Sequence, residues 1–470
     1  MIAAALPPAG WWPLAIIGVA LWAWALDGRG WKARLGLGAV AGLLHFLVAL
    51  AWVPDFSLPG FVLLVLLETS FWTAGSLLAG GKWPALALAG ALVLAEAGRA
   101  NSPFEGLPLA GVDLGQAGGP LLWAARLGGP FAVTLVVGLL GAAGYELLRR
   151  NWLPTALAGG LAAAIVFGGW VAPSGSDGPV LTAAVVQGGG PRGFRGVDTD
   201  FTQVFDRHAE ASEALERPVD LVLWPENSVT VPAGYRGSPE ETAVNALADR
   251  LDATVVVGVV EDGGPGRFRN LAAASEPGSG YVGRVEKAIR VPFGEYVPLR
   301  SLVGRFADLS DIPSEAVPGT RPGLLQTKAG PLAVSISYEV FFPRRSRDAV
   351  RRGAEILLVP TNAASFRTSQ VPGQELAAAR IRAVETGRWV LQAAPTGYSA
   401  IVDSEGKVRR RSVLGDAQVL THEVHRRQGR TPFVAWGPWP WLLLALALPA
   451  LSFGAARFGL PLGNRPEWPD

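Results

Sequence analysis

The chain contains no cysteine in 470 residues, and it has one methionine, four histidines and five lysines against 36 arginines. Without cysteine there are no disulfides, no thiolate metal ligands and no thiol nucleophile. Any part that folds outside the cytoplasm must therefore be held by its core. The histidines, at positions 45, 208, 422 and 425, form no cluster and none lies in a strand-end motif. Metal hydrolysis and a Ser-His-Asp arrangement are both disfavoured, and all four histidines read as structural or solvated. Charge of one sign is also missing: the net charge is +2, with no long single-sign run and no alternation of basic and aromatic residues. Nucleic-acid binding is set aside on that ground.

Apolar residues are abundant, making up half the chain and giving a mean hydropathy of +0.29. They are unevenly spread. Charge is sparse over 1–172, ordinary over roughly 180–430, and sparse again over 434–456. A helix needs about 20 apolar residues to cross the hydrocarbon core. Spans are expected near 10–26, 35–53, 59–79, 84–98, 128–148, 154–172 and 436–456, the fourth being short. The Pro- and Gly-broken stretch 101–127 reads as a loop or re-entrant piece. A signal peptide is a poor reading of the first span, since no basic region precedes it and further spans follow.

Lys and Arg fall in alternate loops: Arg29, Lys32 and Arg34, then Lys82, then Arg149 and Arg150. The positive-inside rule puts those loops in the cytoplasm and residues 173–433 on the other face. Arg457 and Arg465 return to the cytoplasm, and residue 1 lies outside unless a helix precedes it. Arg99 and Arg126, flanking or lying in the outside loop 101–127, run against this tally.

Between 180 and 425, apolar runs of strand length alternate with amphipathic stretches. Strands are expected at 180–187, 220–226, 253–260, 331–338, 355–362 and 388–395, and helices near 198–215, 239–251, 344–353 and 373–386. The second helix opens with Ser238 as cap, Pro239 in the first position and Glu241 closing a capping box. Runs 268–275 with 280–289, and 398–403 with 407–412, read as hairpins. Together these imply a layered α/β sandwich.

Polar groups at the ends of buried strands mark three candidate positions. In Trp224-Pro225-Glu226 the proline stops the ladder and presents a carboxylate beside an indole, where a raised pKa would suit a general base. A turn-capping glutamate is the plain alternative. Lys287, a scarce residue type inside an apolar hairpin, offers a compact charge for a developing oxyanion. Glu295, after a Pro292-Phe293-Gly294 turn, is placed to orient it; a surface pair of Lys287 with Glu286 is the alternative. Ser337 in "VSISYEV" would complete a set of nucleophile, base and oxyanion stabiliser. A carboxylate is a poor base for an alcohol, however, and a lone serine also serves as an ordinary turn residue.

The motifs "VVQGG", "LWPEN", "EKAIRVPFGEYVPL", "SISYEV" and "PTNAASF", set between apolar spans, resemble those of the bacterial apolipoprotein N-acyltransferases, membrane-bound members of the nitrilase (carbon-nitrogen hydrolase) superfamily. The resemblance implies an α-helical transmembrane bundle plus an α/β nitrilase-like α-β-β-α sandwich domain. Its divisions would be 1–172 (about six spans), 173–433 (the extracytoplasmic catalytic domain) and 434–470 (a closing helix and short tail). Glu226 then matches the general base, Lys287 the intermediate-stabilising lysine, and Glu295, Tyr338 and Glu339 the supporting positions. Ser337 falls where the family has its catalytic cysteine. The implied reaction moves an acyl chain from a phospholipid, through a thioester, to the α-amino group of a diacylated apolipoprotein, without metal or cofactor. It takes place in the bacterial inner membrane, with a monomer as the expected state, and the apolar residues of 101–127 and 303–320 are expected to form a lipid-facing mouth.

Three features depart from the family. Ser337 replaces cysteine, the start matches the family's second helix (seven spans where the family has eight), and the segment after "VVQGG" lacks a tryptophan. The leading expectation is an acyltransferase changed from cysteine to serine at 337 and nearly inactive. A natural non-catalytic homologue binding lipid or a partner, and a membrane-anchored amidase or nitrilase, are the alternatives.

Overall fold

The computed structural model describes residues 1–190, 200–305, 309, 313–364, 366 and 369–457. Most of the segment after "VVQGG" and part of 303–320 therefore lie outside the described residues. The chain divides into two compact units, Met1–Ala172 with Trp436–Asp470, and Pro173–Ala435.

The first unit is helical: α1 (Ile2–Ala5), α2 (Pro13–Leu26), α3 (Trp31–Ala49), α4 (Leu58–Leu78), α5 (Pro84–Arg99), α6 (Ala125–Leu148), α7 (Trp152–Val171) and a C-terminal helix, Trp439–Arg457. Among the described residues, five helices are long and apolar enough to cross a membrane: 31–49, 58–78, 120–148, 152–171 and 439–457. The count of seven expected from hydropathy includes α2 and α5, which have only 14 and 16 residues. Non-helical dihedrals at Gly128 and Gly129, just before Pro130, kink the start of α6, a usual cause of such breaks. Short 3-10 turns at Leu114–Gln116 and Pro120–Ala124 occupy the expected loop.

The two arginines that ran against the charge tally are both buried. Arg99 pairs with Glu68 and, at 3.0 Å, with Glu96, whose other oxygen accepts from Trp72 Nε1 at 2.9 Å. Arg126 donates to the carbonyls of Gly169 and Trp170. Buried and internally paired, neither is a loop charge of the kind the positive-inside rule counts.

The second unit is built on two sheets. Its strands are β1 (Ser176–Gln187), β2 (Leu221–Leu223), β3 (Val229–Val231), β4 (Thr254–Asp262), β5 (Arg267–Glu276), β6 (Gly280–Glu286), β7 (Glu315–Ala316), β8 (Leu324–Thr327), β9 (Gly330–Val334), β10 (Ile356–Pro360), β11 (Trp389–Ala393), β12 (Ala400–Val402), β13 (Val408–Arg411) and β14 (Gln418–Gln428). One sheet runs β14-β1-β2-β4-β5-β6, with β3 on β4 and β7 on β5; the other runs β13-β12-β11-β10-β9-β8. The outer pair of the first sheet joins the two ends of the unit, with Ser176 opposite Gln428.

Alternation along the strands explains the layering. Leu221, Leu223 and Val256 point inward to meet Leu332, Val334, Ile356, Leu358 and Leu391 of the other sheet. The intervening Val222, Val255 and Val257 point outward, where α8 (Phe201–Glu213) and α9 (Pro239–Leu251) cover them. After the four-residue α10 (Arg300–Val303), α11 (Pro343–Arg351) and α12 (Gln370–Thr386) cover the second sheet. With both faces of each sheet covered, the strands read as continuous apolar runs. The result is the α-β-β-α sandwich.

Helix α9 starts and ends where the sequence places it. Ser238 Oγ accepts from Glu241 N at 3.0 Å, but the Glu241 carboxylate reaches Gly237 N, one residue upstream of the expected capping-box contact. Ser238→Ala is expected to cost about 1 kcal/mol, read as a lower urea midpoint at unchanged slope.

Candidate active site

Three chain segments build the site, each where a strand stops. Beyond β2, Trp224 N still donates to Val256 O at 2.8 Å, and Pro225, which has no N–H to donate, takes one last bond from Gly258 N to its carbonyl at 3.2 Å. Asn227 takes a left-handed φ of 57°, and Ser228 Oγ donates to Pro225 O at 2.9 Å and Gly258 O at 3.2 Å. A Cβ on Gly258 would lie 2.3 Å from Pro225 O, so only glycine lets β4 approach this turn. Glu226 leaves the turn buried. The Trp224 indole packs against Phe205 and His208 of α8 and donates to Ser212 Oγ at 3.0 Å.

The second segment extends the β5–β6 hairpin by one residue, with Lys287 N donating to Asn270 O at 2.9 Å. The Lys287 ammonium is 3% exposed, 2.9 Å from Glu226 Oε1 and 2.8 Å from Glu295 Oε1. Asn270 Nδ2 donates to the same two oxygens, at 2.7 and 3.2 Å. Burial alone would lower the lysine pKa, but Glu226 and then Glu295 outweigh it and hold the pKa above its ordinary value. Lys287 is therefore a fixed cation. Glu286, its plain alternative partner, pairs instead with Arg269 and Arg284. The turn around Phe293, at φ 61°, returns Glu295 to the lysine, and Val291 N holds Glu295 Oε2 at 2.8 Å.

The third segment follows β9. The expected strand 331–338 ends at Val334, because the chain turns into a 3-10 helix, Ser337–Phe341. Ser337 sits at φ 51°, a region costly for a residue with a Cβ and common where a side chain is presented for function. Glu339 accounts for the turn. One of its oxygens accepts from Ile336 N at 2.8 Å and Arg345 Nε at 3.3 Å; the other accepts from Ala288 N at 2.7 Å and Ile289 N at 3.1 Å. One buried carboxylate thus ties the turn carrying Ser337 to the residues that follow Lys287. Tyr338 is buried, its ring edge-on to Phe342 at 5.1 Å.

The structure brings Glu226, Lys287 and Glu295 into direct contact and joins them to the Ser337 turn through Glu339. It places none of the histidines there: His208 bonds Val204 O, His45 bonds Ala110 O, and His422 and His425 flank Trp389. Among the described residues no group of three or more His, Cys, Asp or Glu is arranged to hold a metal. The sequence reading missed Asn270, a lone amide in the apolar run "RNLAAASE". It also missed Arg345, whose remaining nitrogens bond Arg321 O and Glu286 O at 2.9 and 2.8 Å.

Comparison with known proteins agrees with this architecture. The carbon-nitrogen hydrolase family matches residues 182–431, and the apolipoprotein N-acyltransferase N-terminal domain matches residues 1–143. The chain is 30% identical to an apolipoprotein N-acyltransferase of Mycolicibacterium smegmatis, over 94% of this chain and 81% of that one. It is 29% identical to that of Azotobacter vinelandii, over 93% and 90%. Among solved structures, an amidase from Nesterenkonia sp. is similar at 22% identity and a TM-score of 0.40, covering 55% of this chain and 94% of that chain. The chain belongs to the carbon-nitrogen hydrolase family, in the membrane-embedded group of apolipoprotein N-acyltransferases.

Proposed function

We propose that this site transfers an acyl chain from a phospholipid to the α-amino group of a diacylated apolipoprotein, through a covalent acyl-enzyme at position 337. The Pro173–Ala435 unit would work on the extracytoplasmic face of a bacterial inner membrane. The observation that carries the reading is the buried Glu226–Lys287–Glu295 cluster, tied by Glu339 to the turn that presents Ser337. Glu226 is the base that takes the nucleophile's proton. Lys287, which keeps its charge, stabilises the oxyanion as the nucleophile adds to the donor carbonyl. The ester C–O bond then breaks and the lysophospholipid oxygen leaves with that proton. In the second half the acceptor amine attacks the acyl-enzyme and gives its proton to Glu226; the bond between acyl carbon and nucleophile then breaks, and Glu226 returns that proton to the departing nucleophile.

A hydroxyl serves this scheme poorly, because a carboxylate can deprotonate a thiol of pKa about 8.5 far more readily than an alcohol. The chain with Ser337 is therefore nearly inactive. The test is to supply Ser337→Cys with phospholipid and a diacylated lipopeptide and to look by mass spectrometry for acyl-enzyme and triacylated product. Appearance of both supports the reading, and absence of both defeats it. Ser337 itself favours a second reading, a non-catalytic homologue that binds lipid or a partner; there Ser337→Cys would confer nothing. Hydrolysis of a small amide without transfer to an amine would instead indicate an amidase.

A further inference from the structure

Beside the cluster lies a fourth buried carboxyl group that the scheme above does not use. Glu375 is on α12, the helix that packs on β11 and on the turn Ser337–Phe341, and it is 4% exposed. Its Oε1 accepts from Thr361 Oγ1 at 2.7 Å, just past the end of β10. Its Oε2 is buried and has no hydrogen-bond partner among the described residues. Glu226 and Lys287 both lie near enough to act on it electrostatically, in opposite directions.

Among the described residues, no cation bonds Glu375. Lys287 is already shared by Glu226 and Glu295. The turn at 337–341 carries Tyr338 and Glu339, and Glu339 is committed to Arg345 and three backbone amides. Helix α11 carries Arg344, Arg345, Arg347, Asp348 and Arg351, and neither β11 nor β12 has an ionisable side chain. On α12 itself Arg380 donates to Gly406 O, and Arg382 lies 3.0 Å from Glu385. An ionised carboxylate with one hydrogen bond and no counter-charge is costly in such a place. Burial pushes the Glu375 pKa up to about 8, with the negative Glu226 adding to the rise and Thr361 and Lys287 opposing it.

We propose that Glu375 is a positioning residue of this site: a neutral carboxylic acid at working pH, whose ionisation adds a second uncompensated negative charge beside Glu226 and pushes formation of the nucleophile's anion to higher pH. This rests on the reading of 337 as the nucleophile position. Lys287 bridges two carboxylates, and an ionised Glu375 adds a third negative charge near enough to act on the cluster. A further negative charge raises the pKa of a nucleophilic thiol and weakens oxyanion stabilisation.

The chain has no native cysteine, so Ser337→Cys introduces a unique thiol whose alkylation by iodoacetamide can be followed without any lipid substrate. From about pH 6 to about pH 10 that rate is expected to rise in two coupled steps. In Ser337→Cys with Glu375→Gln it should rise in one, and be roughly 3- to 10-fold faster above about pH 8, as a neighbouring charge removed would give. Glu375→Asp should restore the two steps. Identical single-step profiles with and without Glu375 would overturn the proposal.

Stability provides a second measurement. Between pH 4.5 and about 8 the native state keeps a proton that the unfolded chain has released. The thermal midpoint should therefore fall as pH rises through that window and level off above it, and Glu375→Gln should flatten the fall. If the Gln variant does not fold, the unsubstituted chain decides. Its infrared spectrum should contain a protonated-carboxyl carbonyl band that is lost as pH passes about 8, and absence of that band overturns the assignment. A two-step alkylation profile without triacylated product would leave Glu375 in place and count against acyl transfer alone.

Discussion

Lys287→Ala, made beside Ser337→Cys, is expected to reduce acyl transfer by roughly 10²–10³-fold or more, the range lost with a single oxyanion donor. The same change should destabilise the domain by about 3–5 kcal/mol, because it leaves buried charge uncompensated. Both effects have one cause. The ammonium bridges two carboxylate oxygens at 2.9 and 2.8 Å, and without it Glu226 and Glu295 share only the Asn270 amide. Adding Glu226→Gln and Glu295→Gln should restore much of the stability and none of the activity, which separates the structural role from the chemical one. Lys287→Arg should not rescue transfer, since a planar guanidinium does not fit a gap shaped for a point charge. Product formation within tenfold of the Ser337→Cys rate after Lys287→Ala would remove the lysine from the mechanism.

Glu339→Ala should cost about 4 kcal/mol or more, since hydrogen bonds to a charged group contribute roughly 1.5–3 kcal/mol each. Four donors lose their acceptor: the amides of Ile336, Ala288 and Ile289, and Arg345 Nε. Glu339→Gln keeps the size but not the charge, so a smaller loss of about 2 kcal/mol is expected. Amide hydrogen exchange provides the specific readout. Ala288 and Ile289 should lose protection in both variants, together with Ile336 across the gap. Unchanged exchange at Ala288 and Ile289 would mean that Glu339 does not hold the two segments together.

How far the sequence could be read depended on whether a signal was local. Pro225 stopping a strand, lysine scarcity pointing to Lys287, and the Ser238–Glu241 cap over α9 all act within a few residues, and each appears as a strand end, a buried ion or a helix start. The run 331–338 misled, because apolar alternation continues past the point where Ser337 leaves the strand. What ends that strand is the Glu339 carboxylate, and its other partners lie about fifty residues upstream. Asn270 and Arg345 were invisible for the same reason. Asn270 meets Glu226 44 residues away, and Arg345 looks no different from its neighbours in "PRRSR" until it reaches Glu339. Hydropathy likewise located α2 and α5 and marked α5 as short, but it did not show that α2 stops at 14 residues.

The pairing of β1 with β14 also sets the order in which the domain can be completed. β1 leaves the ribosome first, yet its outer neighbour follows about 230 residues later, roughly 10–50 s of synthesis at common rates. Through that interval β1 presents an unpaired edge, open to association with other chains. The last helix begins only about ten residues after β14 ends, so closure of the sheet and delivery of the final hydrophobic segment come almost together. A stall in between would leave an open-edged sheet rather than a smaller stable domain.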